Sequence, residues 1–454
     1  MGEGTFRLSR RTAAQMHALA AVRREIGSHD RAPKSKYLRE FADAFRRYDT
    51  VFSAEELEHR IIGSDLILIG DYHALAASQR FAASVVERSA QKRPVVLGVE
   101  AILSRDQKIL DTWWRREMPQ EELRRRLRFD RDWGYPWEPF YGLLCAARDY
   151  SEGIYGLDCM PREDMRRIHS RDRHAAVKIT EIRKQHPTAA ILVLFGESHM
   201  APQHLPRAVD DLLPNEKWLA ILQNIDALYW QATNEQCPAL QHGAVGIGDQ
   251  AVCVFNSSPL EKYEGYRLCL DRWNAATSDD QQDFAPAVYN LVFSLARSLG
   301  FQLDSPSNRT QPKFLADSIP EVISIGPDSP SPELDQKSCL YLPESNSFLI
   351  REFQMAEAAE ECTRFLHLAC RGMAKAFPSA RPIETALARF GARLLLPGVN
   401  SQITTPTLGD SLYHKYLAGE ISQSCIQHLF LTHVETAEQA ETALNHLTTL
   451  ARSS

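Results

Sequence analysis

Six short apolar runs interleaved with helical segments constrain this chain more than any other feature. They lie at residues 65–70, 94–99, 153–157, 190–195, 218–222 and 251–255. Residues 75–89, 104–127, 139–149, 162–185 and 205–213 read as the intervening helical segments. The apolar runs are continuous rather than alternating, as expected for strands buried on both faces. Strands separated by helices of ten or more residues predict an α/β fold with a mostly parallel sheet flanked by helices.

Four of these runs stop in the same manner. They give Gly70-Asp71-Tyr72-His73, Gly98-Val99-Glu100, Gly156-Leu157-Asp158 and Gly196-Glu197-Ser198-His199. With 22 glycines and 15 histidines in 454 residues, two Gly-x-x-His spacings are unsurprising by count, so their context carries the weight. Both follow a strand-like run, and both place an acid directly after the glycine. In an open parallel sheet, ligands bind beyond the carboxyl ends of the strands. Parallel strands would therefore gather these acids and histidines at one edge.

Histidine and carboxylate together suit zinc, manganese or iron. The expected metal ligands are His73, His199, Asp71 and Glu197. The expected catalytic groups are Glu100, His73 and Glu197, with Glu100 as the general base for a metal-bound water. Glu100 equally suits a ligand, and a strand-end acid can also cap a neighbouring helix. His367 and Cys370 sit three apart on a helix, a spacing that core packing explains as well as metal binding does.

The rest of the chain divides by composition. Residues 1–60 read as a helical lead-in, 61–256 as the α/β domain and 257–303 as a helical extension. Residues 304–337, rich in Pro, Ser and Asp, read as a linker or loop, and 338–454 as a largely helical C-terminal region. Ser53-Ala54-Glu55-Glu56 has the form of a capping box. Arginines crowd residues 115–131 with interspersed acids, the pattern of a solvated helix carrying its own ion pairs. The net charge of −6 argues against nucleic-acid binding. No run is long enough for a transmembrane helix, and no signal peptide or lipoprotein cysteine is read near the start. The nine scattered cysteines, without Cys-x-x-Cys, fit free thiols in a reducing compartment, so the expected location is the cytoplasm.

At these residues the chain resembles the ChaN-like family of the haem-binding-uptake/Tiki superfamily, which also includes TraB-like proteins and erythromycin esterases. The resemblance covers about residues 60–225. It rests on the Gly70–His73 turn, Glu100, and the 133–150 segment with Trp137, Tyr141 and Ala146-Ala147-Arg148. It also includes Arg171-Asp172-Arg173-His174-Ala175-Ala176, and the Gly196–His199 turn with Pro202 and Pro206. Tiki-like members imply a metal-dependent protease built on paired Gly-x-x-His motifs and a glutamate. Erythromycin esterases imply a Glu/His pair that activates water. ChaN implies haem binding, for which Tyr72, Tyr135 and Tyr141 are the candidate tyrosinate ligands. Here the first turn carries Gly70-Asp71 where the family has Gly-Glu, and a lipoprotein signal is not evident. The leading expectation is a hydrolase of amide or ester bonds, dependent on a divalent Zn, Mn or Fe and acting on a small-molecule or peptide substrate. A haem-binding protein and a scaffold with a degenerate site are the alternatives. No nucleic-acid or membrane partner is expected, and homo-oligomer formation is left open.

Overall fold

In the computed structural model, the described residues are 10, 12–29, 36–160, 162, 168–275, 282–301, 319–326, 334, 337–371, 381–396, 407–432, 434 and 436–452. They form two compact units, one of residues 31–269 and one of residues 1–30 with 270–454. The lead-in expected at 1–60 is thus shared. Its first helix, α1 (Ala13–His29), belongs with the C-terminal residues, while α2 (Lys36–Ala44), β1 (Thr50–Phe52) and α3 (Ala54–Ile62) belong to the α/β unit. The capping box forms: Ser53 accepts the Glu56 N–H, and Glu56 accepts the Ser53 N–H.

The α/β unit continues through β2 (Leu66–Asp71), α4 (Ala76–Ala90), β3 (Val95–Leu103), α5 (Gln107–Trp114), α6 (Gln120–Arg126), α7 (Phe129–Asp132), α8 (Trp137–Tyr150), β4 (Ile154–Asp158) and α9 (Ile168–Gln185). Then follow β5 (Ala190–Gly196), α10 (Leu205–Asp210), β6 (Trp218–Gln223), α11 (Asp226–Asn234), β7 (Ala244–Ile247), β8 (Ala251–Val254) and the start of α12 (Pro259–Ala275). All six predicted strands are present. They pair in parallel in the order β8-β6-β2-β5-β3-β4, and β7 and β1 extend the β8 edge through antiparallel pairings. The two faces of the sheet are covered separately. Ile67, Ile69, Leu97 and Val99 pack in one core with α4 and α8, and Leu66, Leu68, Val193 and Phe195 in another with α9 and α10. Every residue of β2 and β5 is buried, which accounts for their unbroken apolar composition.

Two details position the strand ends. Asp71 on β2 is the register partner of Gly196 on β5. On β3 the pairing with β4 jumps from Val99↔Gly156 to Leu103↔Asp158, so four residues of β3 span two of β4. Glu100 lies at the start of this bulge, which turns it out of the regular ladder. The free edge of β4 is capped by Gln107, whose amide accepts the Gly156 N–H at 2.9 Å and donates to Ile154 O at 2.9 Å. That side chain occupies the place of a neighbouring strand.

The arginine-rich stretch is not one helix. It breaks at Arg128, where φ is 53°, although the expected ion pairs form, among them Arg124–Asp130 at 2.7 Å and Arg128–Asp132 at 2.9 Å.

The other unit holds α1, α13 (Ala285–Ser298), α14 (Met355–Cys370), α15 (Arg381–Leu395), α16 (Leu408–Ala418), α17 (Gln423–Leu431) and α18 (Ala437–Arg452). It also contains a small sheet the sequence did not announce, ordered β10 (Cys339–Leu342), β11 (Ser347–Ile350) and β9 (Glu321–Ser324). β9 falls inside the predicted linker. Of the remainder of 304–337, only residues 319–320, 325–326, 334 and 337 are described. Within the helical C-terminal region, α14 is described as far as Cys370, followed by Arg371. His367 is a core residue: burial, with Arg371 nearby, pushes its imidazole down to about 3. All nine cysteines are free. No helix among the described residues is long and apolar enough to cross a membrane.

Candidate active site

The strand ends do converge, and the group at their centre is Glu100. It is buried, at 4% exposure. One carboxylate oxygen accepts the Gly196 N–H at 2.5 Å, and the other accepts from the Arg171 guanidinium. A histidine stands on each side. His73 Nε2 lies 3.7 Å from Glu100 Oε2, and His199 Nε2 lies 4.0 Å from Glu100 Oε1.

Each histidine is held from behind by an aspartate. His73 Nδ1 meets Asp71 Oδ2 at 2.8 Å, and the other Asp71 oxygen accepts from Gln79 at 2.6 Å. His199 Nδ1 meets Asp172 Oδ1 at 2.5 Å. Tyr37, from α2, donates its hydroxyl to Asp172 at 3.0 Å and sits 2.8 Å from His199 Nδ1. The Tyr37 ring stacks on His204, centroids 3.5 Å apart, and His204 Nε2 reaches Glu40 at 3.2 Å. The two histidines differ in access: the His73 side chain is 19% exposed and that of His199 3%. Trp133 and Tyr135 stand beside His73, with ring centroids 4.4 and 5.1 Å away.

Electrostatics follow from this packing. Burial alone would push the Glu100 carboxyl up, but Arg171, the two histidines and the Gly196 N–H outweigh it and hold the group well below its ordinary range. His73 is opposed by burial and by Arg171, yet the Asp71 and Glu100 charges raise it above its ordinary value. Asp158, fully buried, takes two arginines: Arg171 at 2.8 and 2.9 Å and Arg162 at 2.7 Å. Arg162 also donates to the Glu100, Ala101 and Asp132 carbonyls, which ties the β3 bulge in place.

Several predicted roles are redistributed. Asp71 supports His73 instead of standing beside it as a ligand. Glu197 pairs with the buried Lys262 at 2.8 and 3.0 Å. Its direction differs from that of Asp71 because Asp71 is the last residue of its strand, whereas Glu197 opens a 3₁₀ turn after β5 has ended. Lys262 lies over the Tyr72 ring at 4.6 Å, so Tyr72 belongs to that ion pair. Tyr141 stacks on Trp137 and abuts Trp113 in the helical core. Burial pushes the Tyr72, Tyr135 and Tyr141 phenols up, against the tyrosinate form.

Arg171, Asp172 and Tyr37 were not anticipated as site residues. For the first two a signal exists. Ile168, Ala175, Ala176, Ile179 and Ile182 form the buried stripe of α9, and Arg171 and Asp172 occupy the same stripe. An Arg-Asp pair on an apolar helix face demands partners. Tyr37 carries no comparable signal.

The predicted divalent metal does not fit the donors present. Asp71 and Glu197 are committed elsewhere, and Glu100 carries a guanidinium that would oppose a cation. Among the described residues, no group of three or more His, Cys, Asp or Glu side chains is arranged to hold a metal ion.

Part of this site lies in a segment that is similar to a known family. No curated protein matches the sequence. Solved structures that resemble the chain include ChaN of Campylobacter jejuni, described with cofacial haem binding, at 15% identity and TM-score 0.29, covering 38% of this chain and 86% of that one. Another is the type III effector HopBA1, at 12% identity and TM-score 0.32, covering 46% of this chain and 96% of that one. Residues 57–191 match the family model described as haem-binding uptake, Tiki superfamily, ChaN. This segment contains Asp71, His73, Glu100, Arg171 and Asp172, while Tyr37 and the Gly196–His199 turn lie outside it. Over residues 57–191, about a third of its length, the chain is similar to the ChaN-like family of the haem-binding uptake, Tiki superfamily.

Proposed function

We propose that the site hydrolyses an ester or amide bond, with water activated by His73 and Glu100. One observation carries this reading: two imidazole Nε2 atoms flank a single buried carboxylate, and each imidazole is braced at Nδ1 by an aspartate. Such a braced histidine is the working part of a general base. His73, the more exposed of the two, accepts a proton from a water that Glu100 orients. The water oxygen attacks the acyl carbon, and Asp71 stabilises the imidazolium formed. The C–O or C–N bond then breaks, and a proton from an imidazole Nε2 leaves with the alcohol or amine. Glu100 stays ionised throughout because Arg171 holds it so. No step needs a metal.

A panel of p-nitrophenyl esters and aminomethylcoumarin amides, assayed with and without chelator, tests this reading. The expected result is chelator-insensitive turnover that is lost in His73→Ala and Glu100→Gln. Unchanged turnover in either variant would end it.

The family match supports a second reading, haem binding beside His73. With the three tyrosines disfavoured as phenolates, His73 beside Trp133 and Tyr135 is the group that would meet the iron. Haemin titration should then give a Soret shift that His73→Ala removes. A featureless titration argues against it.

A further inference from the structure

The structure assigns Asp172 and Tyr37 as positioning residues that hold the proton of neutral His199 on Nδ1 and leave its Nε2 lone pair facing Glu100. This rests on the hydrolytic reading for its catalytic consequence, but not for its test.

The donors and acceptors behind His199 set its tautomer. Three polar groups meet there: the Asp172 carboxylate, the Tyr37 hydroxyl and His199 Nδ1. All three residues are buried, Tyr37 and His199 at 3% exposure and Asp172 at 2%. Tyr37 has one proton to donate, and its oxygen lies 3.1 and 3.0 Å from the two Asp172 oxygens. Burial and the Asp172 charge push its phenol up, so it remains a donor. Asp172 therefore accepts from Tyr37 and is left to accept from His199 as well. At 2.5 Å the Asp172–His199 contact requires a proton between them, and the imidazole supplies it from Nδ1. Neutral His199 is thus the Nδ1–H tautomer. Its lone pair, and any proton it gains, lies at Nε2, 4.0 Å from Glu100. A proton gained there can return to the reacting groups, whereas one exchanged at Nδ1 would be trapped against Asp172.

The second half of the device is what fixes Tyr37. Its ring lies nearly parallel to His204, at 6° and 3.5 Å. His204 is in turn fixed at both nitrogens, by the Ser198 carbonyl at 2.8 Å and by Glu40 at 3.2 Å. Tyr37 and Glu40 both come from α2, which precedes the segment matched by the family. The Tyr37 part of the bracing of His199 is therefore supplied by a helix outside the matched segment, while Asp172 lies within it.

The test compares full-length wild type, Asp172→Asn and Tyr37→Phe, selectively labelled with ¹⁵N-histidine. The His199 resonance is assigned by its loss in His199→Gln. In wild type the neutral imidazole should show the Nδ1–H tautomer. In Asp172→Asn the amide can donate to Nδ1, so the tautomer should invert to Nε2–H. That inversion blocks proton uptake at His199 Nε2 and should lower kcat by about 10³- to 10⁴-fold with KM little changed, the scale of a catalytic histidine held in the wrong tautomer. Tyr37→Phe should keep the tautomer, speed solvent exchange of the Nδ1 proton and lower kcat about tenfold, the scale of a modest loss of orientation. An Nε2–H tautomer in wild type would overturn the assignment, as would an unchanged tautomer in Asp172→Asn. Tyr37→Phe indistinguishable from wild type in exchange would remove Tyr37 from it. The resonance decides these points even if no substrate in the panel is turned over, so failure of the hydrolytic reading is seen separately.

Discussion

Asp71 lies in register with Gly196, not with Glu197, so the two Gly-x-x-His motifs are offset by one residue across the β2–β5 pair. This offset makes the motifs unequal. In the first, the acid sits on the strand and braces its own histidine. In the second, the glycine takes that level, its N–H bonds Glu100, and the acid is carried away to Lys262. The brace for His199 has to come from elsewhere, and α9 supplies it as Asp172.

Gly196 is required for space. A Cβ at this position would stand 3.1 Å from Glu100 Oε2, 3.3 Å from His73 Nε2 and 3.4 Å from His199 Cδ2. Gly196→Ala should fold with only a small change in melting temperature but lose at least about tenfold in kcat, because sub-ångström displacement of reacting groups is costly. Equal activity in a purified, folded variant would contradict this geometry.

Arg171 pairs with two buried carboxylates, Glu100 and Asp158, the second shared with Arg162. Arg171→Met should destabilise the protein by about 3–5 kcal/mol, since it leaves buried charge without its partner. Urea unfolding measures this directly. A loss below about 1 kcal/mol would place the pair among weakly contributing surface bridges.

The Glu197–Lys262 pair fixes the start of α12 to the turn after β5. Lys262→Met alone should cost several kcal/mol through the stranded Glu197 carboxylate. Lys262→Met with Glu197→Gln should recover a large part of it. If the double variant is as unstable as the sum of the singles, the two groups are not coupled.

Stability and activity should separate with pH. The Glu100 carboxyl is lower in the folded than in the unfolded state, so its contribution is full above the ordinary carboxylate value and is lost as pH falls towards about 2. The His73 imidazole is higher in the folded state, so its contribution is full below its ordinary value and is lost as pH rises through the folded one. From these two groups stability is greatest at roughly pH 5–6, between the ordinary carboxylate and imidazole values. Catalysis needs neutral His73, so kcat/KM should still be rising on the alkaline side of that maximum. Unfolding curves and rates measured across pH 4–9 would show the two optima apart; coincident optima would contradict the base role of His73.

The sheet was legible because burial on both faces leaves continuous apolar runs, and β2, β3 and β5 are readable on that ground alone. β1 and β7 were not legible. Three and four residues long, they owe their extended form to antiparallel pairing with each other and with β8. Within the site, Asp71, His73, Glu100 and His199 were readable as strand-end residues. Glu197 pairs with Lys262, a partner its motif does not announce, because identical spacing in two motifs does not give identical direction when one strand ends a residue earlier. Arg171 and Asp172 were visible but read as helix; their meaning depends on which sheet edge α9 crosses. Tyr37 lies 162 positions from His199, a partnership that only the tertiary fold creates.

The most direct test of the central claim is hydrolysis of activated esters and amides by metal-analysed wild type and the isosteric Glu100→Gln variant, both in chelator. The account predicts turnover by metal-free wild type and a loss of at least about a hundredfold in the variant, the scale of losing a group that acts in general acid–base catalysis. Turnover that follows bound metal, or that survives Glu100→Gln, would contradict it.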